Sequence, residues 1–114
     1  MIHYGVTKAA QFAVSRRLAE SVAGTTITVN SVLPDPTRSR GDEDFVSAVA
    51  KEQGKSFEEF EAEFFARVRP TSLIRQFATP DEVAALVTCV ARLLASATTG
   101  AALRVDGGVV KSAF

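Results

Sequence analysis

Tyr4 and Lys8, near the start of the chain, have the types and spacing that acid–base chemistry requires. If residues 4–23 form a helix, this spacing places the phenol and the ammonium group on one face. The positive charge of the ammonium group favours the ionised form of a neighbouring phenol. Such a tyrosine can give a proton to, or take one from, an alcohol or a carbonyl. The same pair also arises by chance, as a partly buried phenol beside a solvated ammonium group.

His3 and Cys89 add no further catalytic group to this pair. His3 is the only histidine and stands outside any metal-ligand spacing, so we predict no metal site. Cys89 is the only cysteine and lies in an apolar pattern with helical spacing, which we interpret as a core thiol. A lone cysteine forms no intrachain disulfide and fits a reducing cytoplasm, so we predict a cytoplasmic location.

Length and charge narrow the class of protein. The 114 residues are enough for one domain, and 46% hydrophobic with 23% charged residues is typical of a soluble globular protein. Thirteen basic residues balance thirteen acidic ones, so no basic field suggests nucleic acid or an anionic membrane as a partner. The longest apolar run, residues 83–87, is too short to cross a bilayer, and no signal peptide is visible.

The pattern of elements predicts an α/β fold. The helix at residues 4–23 ends at Gly24, and a β-branched strand follows at residues 26–33. A helix from Pro80 to about residue 96, capped by Thr79 and Glu82, and a short strand at residues 101–105 complete the order. Because a strand, a crossover helix and a second strand form a parallel unit, we predict a parallel sheet.

Residues 38–73, which we name the lid insertion, follow the first strand. Ser56 and Glu59 form a capping box for a helix that carries four phenylalanines at helical spacing. An earlier short helix is marked by Phe45, Val46, Val49 and Ala50, with Gly54 as its stop. The aromatic stripe packs on the main body, roofs an apolar pocket, or does both. Since ligands in open α/β sheets bind at the carboxyl ends of strands, we predict a lid over a ligand site.

Four motifs in a fixed order make the chain resemble the C-terminal half of a short-chain dehydrogenase/reductase. They are Tyr4 with Lys8, then Ile27-Thr28-Val29-Asn30-Ser31-Val32 with Pro34 and Thr37, then residues 75–84, and finally Thr99-Gly100 with Val105-Asp106-Gly107-Gly108. The resemblance implies that residues 1–114 are the C-terminal portion of a Rossmann-like, doubly wound parallel sheet. It also implies a missing half, which holds the glycine-rich pyrophosphate turn and the serine that orients the carbonyl.

The resemblance assigns roles to individual residues. Tyr4 would be the catalytic acid/base, and Lys8 would support its ionisation and bind the ribose hydroxyls of NAD or NADP. Pro34 and Asp35 would line the nicotinamide through their backbone, and Thr37 would bond the carboxamide or a phosphate. The substrate would be a small alcohol or carbonyl, and the complete protein a homo-oligomer. Asn30, Gly107 and Gly108 would be structural, the two glycines near a subunit contact.

Asp35 departs from the family, which usually has glycine between the two prolines. Glycine there permits a positive φ or a close backbone approach. An aspartate brings a carboxylate toward the nicotinamide, which could hinder binding of an anionic cofactor.

Three functions follow from these patterns. The leading one is an NAD(P)-dependent oxidoreductase, present as a fragment that we expect to be inactive and to bind nicotinamide nucleotides negligibly by itself. The second is a non-catalytic remnant that acts as an interaction or oligomerisation module, through a strand edge and a helix face that the missing half would have covered. The third, ranked last, is an independent acid–base enzyme that uses only Tyr4 and Lys8, because the sequence offers it no oxyanion partner.

Overall fold

A computed structural model of the chain describes residues 2–39, 41, 46, 48–49, 51–52 and 54–112. Their elements are α1 (Ile2–Ser21), β1 (Ser31–Pro34), α2 (Phe57–Arg67), α3 (Pro80–Val90), a 3-10 turn (Leu93–Ala95) and β2 (Ala102–Val105). The order of helices and strands is the predicted one. The contacts divide the chain into two compact units, Met1–Leu33 with Leu86–Arg104, and Pro34–Ala85 with Val105–Phe114.

Helix α1 begins earlier and ends slightly earlier than predicted. Its last residue is Ser21, and Gly24 follows with a φ of +80°, in a turn that the Thr25 N–H closes on Val22 O at 3.1 Å. None of the residues of α1, all of which the structure describes, is buried. Apolar side chains of this helix therefore lie at the surface of the chain, and Val14 is 66% exposed.

Strand β1 is shorter than the predicted strand at residues 26–33. The residues before it lie outside the strand, and side chains satisfy two of their backbone N–H groups: the Ile27 N–H donates to Thr25 Oγ1 and the Val29 N–H to Thr99 Oγ1, both at 3.1 Å. Asn30 donates from Nδ2 to Thr98 O at 2.8 Å and accepts from the backbone of the residue preceding β2. The regular ladder therefore begins only at residue 31, and Asn30 makes contacts consistent with the structural role implied for it.

β1 and β2 pair in parallel as a two-stranded sheet. The Ser31 N–H donates to Ala101 O at 2.9 Å, and the Asp35 N–H donates to Val105 O at 3.2 Å. In both bonds an N–H of the first segment donates to a carbonyl 70 residues later in the chain, so the residue numbers of the two strands increase together. This is the pattern of a parallel pair. The predicted α/β class with a parallel sheet is confirmed.

Helix α3 begins where the sequence predicts and ends earlier. Thr79 donates its N–H to Glu82 Oε2 at 2.7 Å, and the Glu82 N–H returns to Thr79 Oγ1 at 3.2 Å, so the capping box is complete. Arg92 then adopts an extended conformation that stops the helix, which ends at Val90 instead of continuing to about residue 96. Cys89 near this end is exposed, so the expectation of a core thiol is wrong: nothing in the described residues covers it.

The second unit holds the buried residues of the described part of the chain, which are Phe65, Ser72 and Ala78. Helix α2 starts at the predicted capping box of Ser56 and Glu59. Its phenylalanines pack around Phe77, with ring centroids of Phe64 and Phe65 at 5.0 and 5.1 Å. The aromatic stripe of the lid insertion therefore packs against Phe77, within the second unit.

The earlier helix predicted in the lid insertion is described only in part. Val46 and Val49 are helical, while Phe45 and Ala50 lie outside the described residues. Gly54 has a φ of +66°, and its N–H donates to Lys51 O at 3.1 Å, as expected of a helix stop.

Gly107 fixes the segment that follows α2. The backbone N–H groups of Leu73 and Ile74 both donate to Gly107 O, at 2.8 and 3.2 Å. Gly107 has a φ of +59°, and a Cβ added there would lie 2.6 Å from Ile74 Cγ1. Both the conformation and the close approach therefore require glycine.

Candidate functional site

Tyr4 and Lys8 lie side by side on the first turns of α1. The Lys8 Nζ atom is 5.5 Å from the centroid of the Tyr4 ring, within the range of a cation–π contact. Tyr4 is 52% exposed. Lys8 also donates to Gln11 Oε1 at 3.3 Å, which leaves further N–H donors on the ammonium group. The structure thus brings this predicted pair together.

Lys8 also lines a groove of about 550 Å³ in the first unit. The groove runs between α1 and β1, and Phe12 and Leu33 are among its apolar walls. Lys8 is exposed, so its ammonium group is accessible to polar groups of a ligand in this groove. The sequence did not predict this groove, because it depends on how the helix lies over the strand.

Pro34, Asp35 and Thr37 form the 34–37 turn at the end of β1. The Asp35 N–H is held by β2, and the Thr37 hydroxyl donates to Asp35 O at 2.9 Å. Thr37 also forms a parallel bridge with Ala78, whose N–H donates to Pro36 O at 3.0 Å. The backbone of the turn is therefore fixed on both sides, as a backbone surface that lines a ring would require.

Asp35 does not use the conformational freedom of the glycine that the family usually has. Among the described residues other than glycine, only Arg75 has a positive φ, so the backbone at position 35 suits an aspartate. The Asp35 carboxylate forms an ion pair with Arg69, with Oδ2 3.5 Å from Nε. Arg69 could not be predicted from the sequence, since the two residues meet only through the tertiary fold.

The described residues contain no group of three or more His, Cys, Asp or Glu side chains that could hold a metal ion. Within that same part of the chain, no helix has the length and apolar character needed to cross a membrane.

Comparison with known proteins identifies the family. The family model described as enoyl-(acyl carrier protein) reductase matches residues 1–110. The chain belongs to the short-chain dehydrogenase/reductase family. An uncharacterised oxidoreductase of Bacillus subtilis, YvaG, is 43% identical over 114 residues, which are 100% of this chain and 43% of that protein. A second uncharacterised oxidoreductase of this bacterium, YvrD, is 42% identical over 112 residues, 98% of this chain and 43% of its own length.

Solved structures agree with this assignment. The L-sorbose reductase of Gluconobacter frateurii, in complex with NADPH and L-sorbose, is 28% identical with a TM-score of 0.82, over 96% of this chain and 40% of that one. YwfH, an NADPH-dependent reductase involved in bacilysin biosynthesis, is 26% identical with a TM-score of 0.78, over 98% of this chain and 41% of its own. The chain therefore spans less than half the length of these short-chain dehydrogenases/reductases and is a partial Rossmann domain.

Proposed function

We propose that the chain is the part of an NAD(P)-dependent short-chain dehydrogenase/reductase that carries the proton-transfer residues. The observation that carries this proposal is the Lys8 ammonium group 5.5 Å from the Tyr4 ring, beside a phenol that is half exposed. The reductases that are similar in structure and are named with NADPH support a nicotinamide cofactor, either NAD or NADP.

The proton transfer follows from the chemistry of this pair. Tyr4 donates its phenolic proton to the oxygen of a substrate carbonyl, and the negative charge then lies on the tyrosine oxygen. The Lys8 ammonium group stabilises that phenolate, which lowers the barrier to the transfer. In the reverse direction, the phenolate takes the proton from an alcohol. The nicotinamide, when bound, supplies or accepts the hydride.

The residues of the 34–37 turn fit a nicotinamide cofactor. Because the Thr37 hydroxyl donates its proton to Asp35 O, it retains only acceptor lone pairs. Such a hydroxyl suits the N–H groups of the nicotinamide carboxamide better than a phosphate oxygen, which needs a donor. Lys8 retains N–H donors that suit ribose hydroxyls. We therefore assign Thr37 to the carboxamide and Lys8 to the ribose.

We also propose that the lid insertion covers the substrate of the complete enzyme. Its α2 portion is anchored, because Phe77 packs against the rings of Phe64 and Phe65 and donates its N–H to Glu61 Oε1 at 2.9 Å. Near its start, the Arg38 guanidinium lies 4.3 Å from the centroid of the Phe57 ring.

One observation favours a second function, that of an interaction or oligomerisation module. Helix α1 buries none of its residues and exposes Val6 and Leu18 by 63% and 51%. Scattered apolar residues are normal on a surface, but a helix with no buried residue lacks the packing that usually stabilises it. An oligomer of the complete protein, or another part of that protein, would cover this helix.

Completing the domain tests the proposed function. The completed chain is the 114 residues joined to the part of the Bacillus subtilis oxidoreductase YvaG that this chain does not cover. We expect it to consume reduced nicotinamide only when a small carbonyl compound is added, and we expect the 114 residues alone to show no saturable binding of NADH or NADPH by calorimetry. A completed chain that folds and oligomerises but transfers no hydride would favour the interaction module. Micromolar binding by the 114 residues alone would reveal a cofactor site of their own and contradict the fragment hypothesis.

A further inference from the structure

The ion pair of Asp35 and Arg69 connects two segments that the sequence keeps far apart. Asp35 belongs to the turn that ends β1, and Arg69 to the segment that ends α2. Both side chains are partly buried, with 29% and 38% of their surface exposed. Three other ion pairs of the described residues, Arg16–Glu20, Arg17–Glu20 and Arg67–Glu63, each join neighbours on one helix. The ion pair of Asp35 and Arg69 therefore depends on the tertiary fold and not on helical spacing.

Asp35 is the charged partner of the buried Arg69 Nε atom. Within the described part of the chain, that atom has no hydrogen bond, and Asp35 Oδ2 lies 3.5 Å away. The Nη1 atom donates to Val68 O at 3.2 Å, and the backbone N–H donates to Phe64 O at 3.3 Å. The carboxylate thus supplies the charge that a buried guanidinium N–H needs, and losing it would leave that group uncompensated.

The backbone of Asp35 is fixed, so only its side chain can change direction. Its N–H bonds Val105 O and its carbonyl accepts from the Thr37 hydroxyl, with no positive φ at this position. Without Arg69, the negative charge of the carboxylate would be uncompensated on the turn that we assign to the nicotinamide. The reduced dinucleotide has an uncharged nicotinamide and an anionic pyrophosphate, so an uncompensated carboxylate there would repel this form, whereas the oxidised nicotinamide ring is itself a cation.

We propose that Arg69 is a positioning residue, which holds the Asp35 carboxylate and compensates its charge so that the 34–37 turn accepts the reduced nicotinamide cofactor. Arg69 acts through Asp35 and has no role in the chemical step. Asp35 stands where the family usually has glycine, and its ion pair with Arg69 is a charged contact between the turn and the lid insertion. This inference rests on the proposed function for its cofactor, whereas the pairing itself is a property of the chain alone.

The first test examines the pairing in the 114-residue chain, without any activity. Nitrogen–proton NMR of the arginine Nε–Hε groups would compare the wild type with Asp35→Asn. We expect the Arg69 signal to shift and its proton to exchange faster in the variant, while the Arg67 signal, whose partner is Glu63, stays in place. An Arg69 signal that is unchanged in the variant, or already that of a free arginine in the wild type, would overturn the pairing.

The second test uses the completed chain and separates positioning from structure. We expect Arg69→Gln to raise the KM for NADH or NADPH on the order of threefold to tenfold, the effect of one uncompensated charge at a partly hydrated surface, with kcat within about twofold. Adding Asp35→Asn to Arg69→Gln should restore the KM, and Arg69→Lys, which keeps the charge, should stay near the wild type.

The controls separate the pairing of Asp35 with Arg69 from its effect on cofactor binding. Arg67→Gln removes an exposed charge nearby and should leave the cofactor KM unchanged. A double variant that is as impaired as Arg69→Gln, or a loss confined to kcat or to melting temperature, would show a structural role only and overturn the inference. If the completed chain transfers no hydride at all, the proposed function fails, and the NMR result still decides whether Arg69 holds Asp35.

Discussion

Phe65 is the residue whose truncation should most clearly release α2 from its unit. Its side chain is 3% exposed, and its ring meets those of Phe64 and Phe77 at centroid distances of 5.2 and 5.1 Å. The interplanar angles of 80° and 66° are those of edge-to-face contacts. Phe65→Ala removes both ring contacts and the one residue of α2 that is buried.

The cost of this change can be built from its parts. Burying a phenylalanine side chain stabilises by about 1.5–3 kcal/mol. Each of the two aromatic contacts adds about 0.5–1.5 kcal/mol. Their sum agrees with the loss of about 3–5 kcal/mol typical of Phe→Ala in a core. Because a small domain has only about 5–15 kcal/mol of stability, α2 should open locally in the variant.

Hydrogen exchange of the α2 amides measures this opening. The Phe60 N–H bonds Ser56 O at 3.1 Å and the Val68 N–H bonds Phe64 O at 2.7 Å, so both should be protected in the wild type. A loss of about 3 kcal/mol should speed their exchange about a hundredfold or more. Phe12→Ala, at a ring that is 40% exposed on α1, is the matched control and should leave the α2 amides unchanged.

Equal exchange of the α2 amides in Phe65→Ala and in the wild type would refute the reasoning. It would mean that the aromatic cluster does not anchor the lid insertion, and that α2 is held by its cap or already open.

Two further predictions concern local backbone and charge. Gly107→Ala should lower the melting temperature by about 5 °C or more, because φ is +59° and the new Cβ would lie 2.6 Å from Ile74 Cγ1. Gly5→Ala, in open space on α1, should instead raise the free energy of unfolding by about 0.5–1 kcal/mol. Equal effects of the two substitutions on the melting temperature would contradict the steric argument. Hydrogen bonds from the Thr79 N–H and hydroxyl hold the pKa of Glu82 below its ordinary value of 4.5, so its contribution is complete above that pH and is lost as pH falls through the lowered pKa. Circular dichroism from about pH 7 to about pH 3 should show less acid-induced loss of helix in Glu82→Gln than in the wild type. The same loss of helix in both proteins over this pH range would contradict the role of Glu82.

Features that depend on a few neighbouring residues could be predicted from the sequence. Both capping boxes formed as expected, because each joins a side chain to backbone three residues away. The contact of Tyr4 with Lys8 follows from helical spacing in the same way. The parallel pairing of β1 and β2 follows from the order of elements along the chain.

Features that depend on distant residues could not be predicted. β1 begins at Ser31, where the Thr99 hydroxyl accepts from the backbone before β1 and the Asn30 side chain bonds the backbone before β2, and nothing local in the sequence encodes this. Cys89 is exposed because no distant part of the described chain packs over it, which its local apolar pattern does not reveal. The contact of Asp35 with Arg69 requires the fold to bring the end of α2 to the end of β1, so the sequence showed only an unexplained aspartate.

The rate of hydride transfer in the completed chain with Tyr4→Phe is the most direct test of the central claim. The change removes one hydroxyl from an exposed ring and keeps the cation–π contact with Lys8. We expect single-turnover reduction of a carbonyl substrate to slow by about a hundredfold to ten-thousandfold, with cofactor binding unchanged, and we expect Thr7→Ala on the same helical turn to react like the wild type. A Tyr4→Phe variant that transfers hydride at nearly the wild-type rate would show that Tyr4 and Lys8 are only the beginning of a helix.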